Sequence, residues 1–583
     1  MASAGALVVA GPLAGCARGD RISTCAVRYG ENIPVAFKHG VASGDPTANS
    51  VILWTRVSPV RQGTIVVSWR VATDRAFSTL THEGASLVTA DTDYTLKLDA
   101  VGLQPGKRYY YQFRANGAAS PTGVTRTLPV GRVNSLKMAV MSCSNYGFGY
   151  FHSYDAVSKR EDIDLVLHLG DYIYEYPSNV YPRTAQTLEG REPEPDRELV
   201  SLSDYRTRYA QYRSDSDLQA VHAQKPFICV WDDHEIANNT WRAGAQNHDE
   251  ELGEGKFSDR VAAALQAYFE WLPIRGKDPE ETVKEINRSF RFGDLLTLHM
   301  LDTRYVGRDE QLSYGNYVDA DSGQFSHQKF LTELENPART ILGSEQLDWL
   351  NRSIQQNTTQ WQVLGQQVVM SQHYLPAALM LRRLDYQNFG RLARLAQLGQ
   401  QIRQGTRVSS ADRELYRSGA SELTPELLRL LQLPDLPMRL DSWDGYPADR
   451  EKVYRMMAQS ISSFVVLAGD THNAWASNLV SDAGDKVGLE FATHSVTSPG
   501  LEGFLGNDPK QLMAAEQDLV SRMETLEYLN ARDRGFMVVT FLPDKVRSEW
   551  FFVSDIRQPD YEFQTDRYHA VEADRDELVM RHS

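Results

Sequence analysis

Four apolar runs in this chain each break off at residues able to hold a metal ion. KMAVMSCS leads into Cys143-Ser144-Asn145 and DLVLHLGD into Gly170-Asp171-Tyr172-Ile173-Tyr174. FICVWDDHE carries Asp232-Asp233-His234-Glu235, and SSFVVLAGDTH ends at Gly469-Asp470-Thr471-His472. Runs so continuously apolar belong to strands covered on both faces, as in layered α/β domains. Ligands in such domains gather outside the carboxyl ends of the strands, so four segments far apart in sequence are expected to converge on one site. Further runs (LLTLHMLD, WQVLGQQVVM, GFMVVTF, VRSEWFF) alternate with stretches of helical period such as Lys256–Trp271 and Ser344–Gln355. A large α/β layered unit over residues 136–583 follows. The Leu-, Arg- and Gln-rich segment 375–436 reads as a helical insertion, and as a lid if it lies over the site.

Residues 34–129 have a different grammar. SVILWTRV, TIVVSWRVAT, YTLKLDAV and RYYYQFRA are short strands punctuated by Gly, Pro, Asp and Asn, which predicts a small all-β sandwich. Leu103-Gln104-Pro105-Gly106 followed by Tyr109, Tyr110 and Tyr111 resembles the tyrosine corner of fibronectin type III-like sandwiches, in which a tyrosine on the next strand ties down the preceding turn. Trp54, Trp69, Tyr109 and Tyr111 are accordingly expected in its core and corner rather than on a ligand platform.

At 583 residues, 42% apolar and 23% charged, the chain is long enough for two to four domains and too ordinary in composition for a collagen, a coiled coil or a disordered polymer. The net charge of −15 disfavours nonspecific binding to nucleic acid or anionic membranes, which needs a basic surface. The cysteines at 16, 25, 143 and 229 form no CxxC pair, so neither a structural zinc site nor a disulfide scaffold is indicated, and Cys229 in FICVW reads as core. Residues 1–33 read as an export segment and linker: the apolar stretch Ala4–Gly15 is too short to span a bilayer but suits a signal peptide. Leu13-Ala14-Gly15-Cys16 resembles a bacterial lipobox, although Met1-Ala2-Ser3 lacks a basic n-region. A lipid anchor at Cys16 and plain export to the periplasm or medium both stand at this point.

The strand-end residues suit two adjacent cations. Asp171 is the candidate bridging ligand, since its two oxygens can join cations about 3.5–4 Å apart. The Tyr174 phenol becomes a ligand only where a strongly charged cation drives off its proton, which argues for ferric iron. Cys143 as thiolate favours a transition metal and His472 can add an imidazole, whereas Asp233, Asn239 and Asp470 offer the hard oxygens that calcium or magnesium accepts. His234, next to Asp233, is the candidate electrostatic partner or proton donor to a leaving oxygen. Arg242, after ANNTW, is the candidate phosphate clamp, set against a surface ion pair. There is no GxSxG elbow, no Cys-x5-Arg and no phosphate-binding GxxxxGKS loop, so serine, cysteine and nucleotide-loop chemistries lack their minimum parts.

Taken in order, FKHGVASGDP, SVILWTRV, SCSNY, LHLGDYIYEY, VWDDHE with ANNTW, AAALQAYFEW, WDGYP, GDTH and TSPG resemble the PhoD family of alkaline phosphatases and phosphodiesterases over nearly the whole chain. The resemblance implies a layered αββα metallophosphoesterase sandwich behind the N-terminal β-domain. It implies hydrolysis of small phosphate esters by metal-activated hydroxide, with Fe3+ and Ca2+ as cofactors. Cys143, Asp171, Tyr174 and His472 would hold iron; Asp171, Asp233, Asn239 and Asp470 would serve calcium or the shared shell. Purple acid phosphatases, which share GDxxY, carry GNHE and GHxH where this chain has WDDHE and GDTH; the change moves the second site toward oxygen ligands. His494 in FATHSVTSPG has no clear counterpart and reads equally as a satisfied loop histidine. Two alternatives remain: a phospholipase D-like phosphodiesterase that accepts phospholipid headgroups, and an inactive phospho-ligand-binding protein. The presence of Asp171, Asp470 and His472 together weighs against the second.

Overall fold

The computed structural model describes residues 30–182, 186–276, 286–506, 508–563 and 568–582. The expected export segment and Cys16 lie outside the described residues. Two sheets face each other. The first has ten strands, in the order Met580–His582, Tyr568–Asp574, Lys545–Phe552, Gly535–Phe541, Leu136–Met141, Leu165–His168, Pro226–Cys229, Val41–Gly44, Ser50–Arg56 and Thr95–Val101. The second has seven, in the order Arg288–Phe292, Leu296–Met300, Trp361–Gly365, Ser463–Ala468, Lys486–Ala492, Ala474–Val480 and Leu526–Asn530.

The apolar runs read from the sequence are the central strands. Leu136–Met141, Leu165–His168 and Pro226–Cys229 pair in parallel in one sheet, as do Leu296–Met300, Trp361–Gly365 and Ser463–Ala468 in the other. Met138, Val140, Leu167 and Ile228 share a core with Val363, Val465, Leu467 and Phe491, so the two sheets bury their facing sides against each other. Helices cover the outer faces, including His152–Ser158, Ser216–Gln224 and Phe257–Trp271 on one side and Gly343–Gln356 and Pro447–Ala458 on the other. The result is the expected αββα stack. Cys229 is buried in its core as a free thiol.

The N-terminal sandwich is present, and one of its two sheets is not its own. Gly123–Arg126, Arg108–Ala115, Ile65–Ala72 and Leu80–Val88 form a separate sheet. The facing strands Val41–Gly44, Ser50–Arg56 and Thr95–Val101 continue the catalytic sheet, because Val41–Gly44 pairs in parallel with Pro226–Cys229. Val41, Val51, Leu53, Val67, Tyr111 and Phe113 fill the sandwich between them. The tyrosine corner is formed: the Gln104 N–H donates to the Tyr109 hydroxyl at 2.8 Å. Trp54 faces the other way and its Nε1–H donates to the Glu270 carbonyl at 2.8 Å, tying the module to the helix Phe257–Trp271.

The insertion is helical, with Ala377–Met380, Tyr386–Arg403, Ser410–Gly419 and Pro425–Leu430 as its helices. It leans on the helix Pro509–Arg522, where the Tyr386 hydroxyl donates to Asp518 at 2.6 Å. No helix among the described residues is long and apolar enough to cross a membrane.

Candidate metal centre

All four strand ends meet at one point. The ligand atoms of Cys143, Asp171 and His472 lie within 4.8 Å of one another, as do those of Asp171, Asp233 and His234, and those of Asp232, Asp233 and Asp470. Asp171 belongs to two of these groups, which is where a bridging residue must stand.

The chain turns these side chains inward by an unusual backbone choice. Cys143, Asp171, Asn239, Asp470 and His472 have φ of 61°, 54°, 52°, 58° and 62°. Each non-glycine residue in this left-handed region costs about 1–2 kcal/mol, a cost that concentrates at functional sites. The preceding glycines make room for the turns. A Cβ on Gly170, itself at φ 99°, would lie 2.4 Å from the Asp232 backbone nitrogen, and one on Gly469 would lie 2.8 Å from Ser142 Oγ. Glu235 then fastens two strand ends together: its carboxylate accepts the N–H groups of Asp171 (3.0 Å), Tyr172 (2.6 Å) and Asp232 (2.7 Å).

One half of the site is rich in soft and aromatic donors. His472 donates from Nδ1 to the Pro499 carbonyl, which leaves Nε2 as a bare lone pair 3.3 Å from the Tyr174 hydroxyl. That hydroxyl donates to Asp171 Oδ2 at 3.0 Å and lies 2.6 Å from Ser498 Oγ. Burial, reinforced by the Asp171 charge, pushes the Cys143 thiol and the Tyr174 phenol well above their usual pKa values. Burial also lowers the His472 imidazole to about 3, so it is neutral and ready to ligate.

The other half is oxygen-rich. Asn239 lies beside this half, donating its backbone N–H to Asp233 Oδ2 and its side-chain Nδ2 to Gln246, both at 2.6 Å. Burial raises the Asp171, Asp232 and Asp470 carboxyls, the first two strongly. At Asp233 burial is outweighed by Arg304 and His234, which hold the carboxyl below its ordinary value.

These residues fit cations. Asp171 Oδ1 and Asp232 Oδ2 are buried with no hydrogen-bond partner, and a buried carboxylate oxygen left so is costly unless something positive meets it.

His234 stands at the edge of the cluster with its Nδ1 on Glu175 Oε2 at 2.7 Å. Glu175 is itself held by the Asn238 N–H (2.7 Å) and Asn247 Nδ2 (2.8 Å). Burial opposes the charged ring, but Asp233, Glu175 and Asp171 overcome it and hold the His234 pKa well above the usual imidazole value. Arg242 is not brought into the cluster: 57% of its side chain is exposed and it pairs with Asp309 at 2.5 Å. His494 is fully buried outside the cluster, with its Nε2 donating to the Phe551 carbonyl at 2.9 Å and its Nδ1 buried without a hydrogen-bond partner.

Sequence reasoning missed Arg304, Arg439, Glu175 and Ser498. Arg304 follows the strand Leu296–Met300, is fully buried, and joins Asp232 to Asp470 through Nε and Nη2, with Asp441 at 3.4 Å and Asp233 at 3.7 Å. The strand-end rule that found the ligands applies equally to LDTR, where the signal is an arginine rather than a metal donor.

Comparison with known proteins agrees with this architecture. A PhoD-like phosphatase profile matches residues 138–550, and a profile for the N-terminal domain of PhoD-like phosphatases matches residues 24–129. The chain is 32% identical over 540 residues to alkaline phosphatase D of Bacillus subtilis, covering 90% of this chain and 78% of that protein. A solved structure of PhoD superposes with a TM-score of 0.71 at 29% identity, covering 94% of this chain and 92% of that one. With both profiles in place along the chain, and with a relative this similar over most of its length, the protein belongs to the PhoD-like phosphatase family.

Proposed function

We propose that the chain is an exported, two-metal phosphoric ester hydrolase. Its iron would be held by Cys143, Asp171, Tyr174 and His472, and its calcium by Asp171, Asp233, Asn239 and Asp470. The phosphoester hydrolase class follows from family membership. The observation that supports the ligand set is the coincidence of left-handed backbone with donor identity: five of the seven expected ligands carry it. The donors also sort by chemistry, with thiol, phenol and imidazole together on one side and carboxylates and an amide on the other, as iron and calcium respectively prefer. Export rests on the apolar stretch Ala4–Gly15, and a lipid anchor on Cys16.

Cations bound at such a site neutralise phosphate oxygens and bring the pKa of water toward neutrality. The chain's own residues do the rest. The Pro499 carbonyl fixes the His472 tautomer, so Nε2 faces the site in every turnover. Ser498, 2.6 Å from the Tyr174 oxygen, helps hold that oxygen in place. Glu175 orients His234 through Nδ1, and His234 would give a proton to the departing alkoxide or phenoxide oxygen. The test is metal analysis of protein purified without chelator, with rates on an aryl phosphate monoester and the matching diester. Iron and calcium in near-equal amounts with turnover of either ester supports the reading; active protein containing zinc alone refutes the metal assignment. Turnover of a phosphatidyl diester would extend it to phospholipid headgroups, and phosphate binding without turnover would leave only a binding protein.

A further inference from the structure

The helical insertion is rooted beside the metal centre, and its root carries an arginine with spare donors. Leu436–Pro437, where the insertion returns, pairs antiparallel with Tyr374–Leu375, where it departs. The Met438 N–H donates to the His373 carbonyl at 2.7 Å. The His373 N–H in turn donates at 2.9 Å to Asp444, a buried carboxylate that Arg450 also holds. The root is therefore a fixed clamp, and Arg439 is the next residue along it.

Arg439 turns toward the cluster without being fully used by it. Its Nη1 lies 3.4 Å from Asp470 Oδ2 and its Nη2 lies 3.3 Å from the Thr471 carbonyl, both longer than the about 2.7–2.9 Å of a settled charge-assisted hydrogen bond. Its Nε is buried with no partner, while 20% of the side chain reaches solvent. Arg304, on the same Asp470, has a fully buried side chain and is committed to carboxylates on every side. Arg242 is committed to Asp309.

We propose that Arg439 binds a non-bridging phosphate oxygen of the ester, so that the segment just past the insertion's return strand supplies a substrate-binding group to the metal centre. The assignment rests on the phosphoester reading above. A guanidinium suits the role because its planar fork of donors matches phosphate oxygens, and this one engages the protein through Nη1 and Nη2 only at long distances while its side chain stays partly open to solvent.

The experiment uses the holoenzyme and inorganic phosphate as the probe, measured by calorimetric titration, with Arg439→Gln and Arg439→Lys beside the unaltered chain. Arg439→Gln should weaken phosphate binding about 10–100-fold, raise KM for an aryl phosphate more than it lowers kcat, and leave the metal content unchanged. Arg439→Lys should recover part of the binding, since an ammonium keeps the charge but not the fork. Phosphate binding within about threefold of the unaltered chain overturns the proposal. So does a loss of binding matched by a loss of metal, which would make Arg439 a support for Asp470 alone. Unaltered protein that binds phosphate through Arg439 but turns over no ester would overturn the phosphoesterase reading instead, and the titration keeps the two failures apart.

Discussion

Arg304→Met should be among the most damaging single substitutions in the site, and the damage should be repairable from one neighbour. Methionine keeps most of the apolar stem and removes the guanidinium from between Asp232 and Asp470. Asp470 retains Arg439 near its other oxygen and is 12% exposed. Asp232 has neither relief: its side chain is 0% exposed and its Oδ2 lacks a hydrogen-bond partner even with Arg304 in place. Breaking a buried pair by removing one partner costs about 3–5 kcal/mol, so most of that cost should fall on Asp232. Adding Asp232→Asn removes the stranded charge at nearly constant shape, and a coupling of about 2–3 kcal/mol between the two changes is expected. Urea unfolding followed by tryptophan fluorescence measures it. The Trp231 Nε1–H donates to Asp302 Oδ1 at 3.1 Å, and that oxygen also accepts the Arg304 backbone N–H at 2.9 Å, so a reporter sits at the lesion. The loss should be larger in chelator than with saturating divalent cation, which supplies replacement charge and stabilises the folded form by mass action. A loss under about 1 kcal/mol for Arg304→Met, or no coupling to Asp232→Asn, would refute the argument that this ion pair holds the carboxylates together.

Asp171→Asn and His472→Ala should each lower kcat roughly a thousandfold or more with the fold intact by circular dichroism, and activity retained with unchanged metal content would refute the ligand set. A calcium-selective chelator should abolish activity while iron stays bound, and calcium should restore the rate where magnesium, which demands near-octahedral geometry, does so poorly; elemental analysis before and after titration checks both. The protein should be coloured by charge transfer to ferric iron, and Tyr174→Phe should shift or weaken the visible band; an unchanged spectrum would remove the phenol from the ligand set.

The fold was legible because its central strands are buried on both faces. KMAVMSCS, DLVLHLGD and SSFVVLAGDTH carry no alternation, and that lack of alternation is itself the mark of a covered parallel strand. The donors were legible because they sit immediately after those strands, where backbone direction alone brings them together. What escaped was charge balance. Arg304 and Arg439 come from the strand end LDTR and from the return limb of the insertion, and nothing local in either segment says which carboxylate a long side chain will reach. Arg242 illustrates the converse: it lies close in sequence to Asn239, yet it pairs with Asp309. Glu175 was hidden for a related reason, since its partner His234 is 59 residues away. The sharing of a sheet between the sandwich and the catalytic unit was invisible because strand period reports burial, not which neighbour provides the edge.

That shared sheet changes what the N-terminal module is. Asp232 and Asp233 begin three residues beyond Pro226–Cys229, and on one side that strand is bonded to Val41–Gly44. Cutting the chain near residue 130 would do more than remove an appendage. It would lay bare a row of backbone donors and acceptors next to the carboxylates, and an uncovered strand edge invites a second chain to zip onto it. The module behaves as a buttress built into the wall of the site, so exchanging it for another sandwich is a reconstruction of the active centre's foundation rather than a change of attachment.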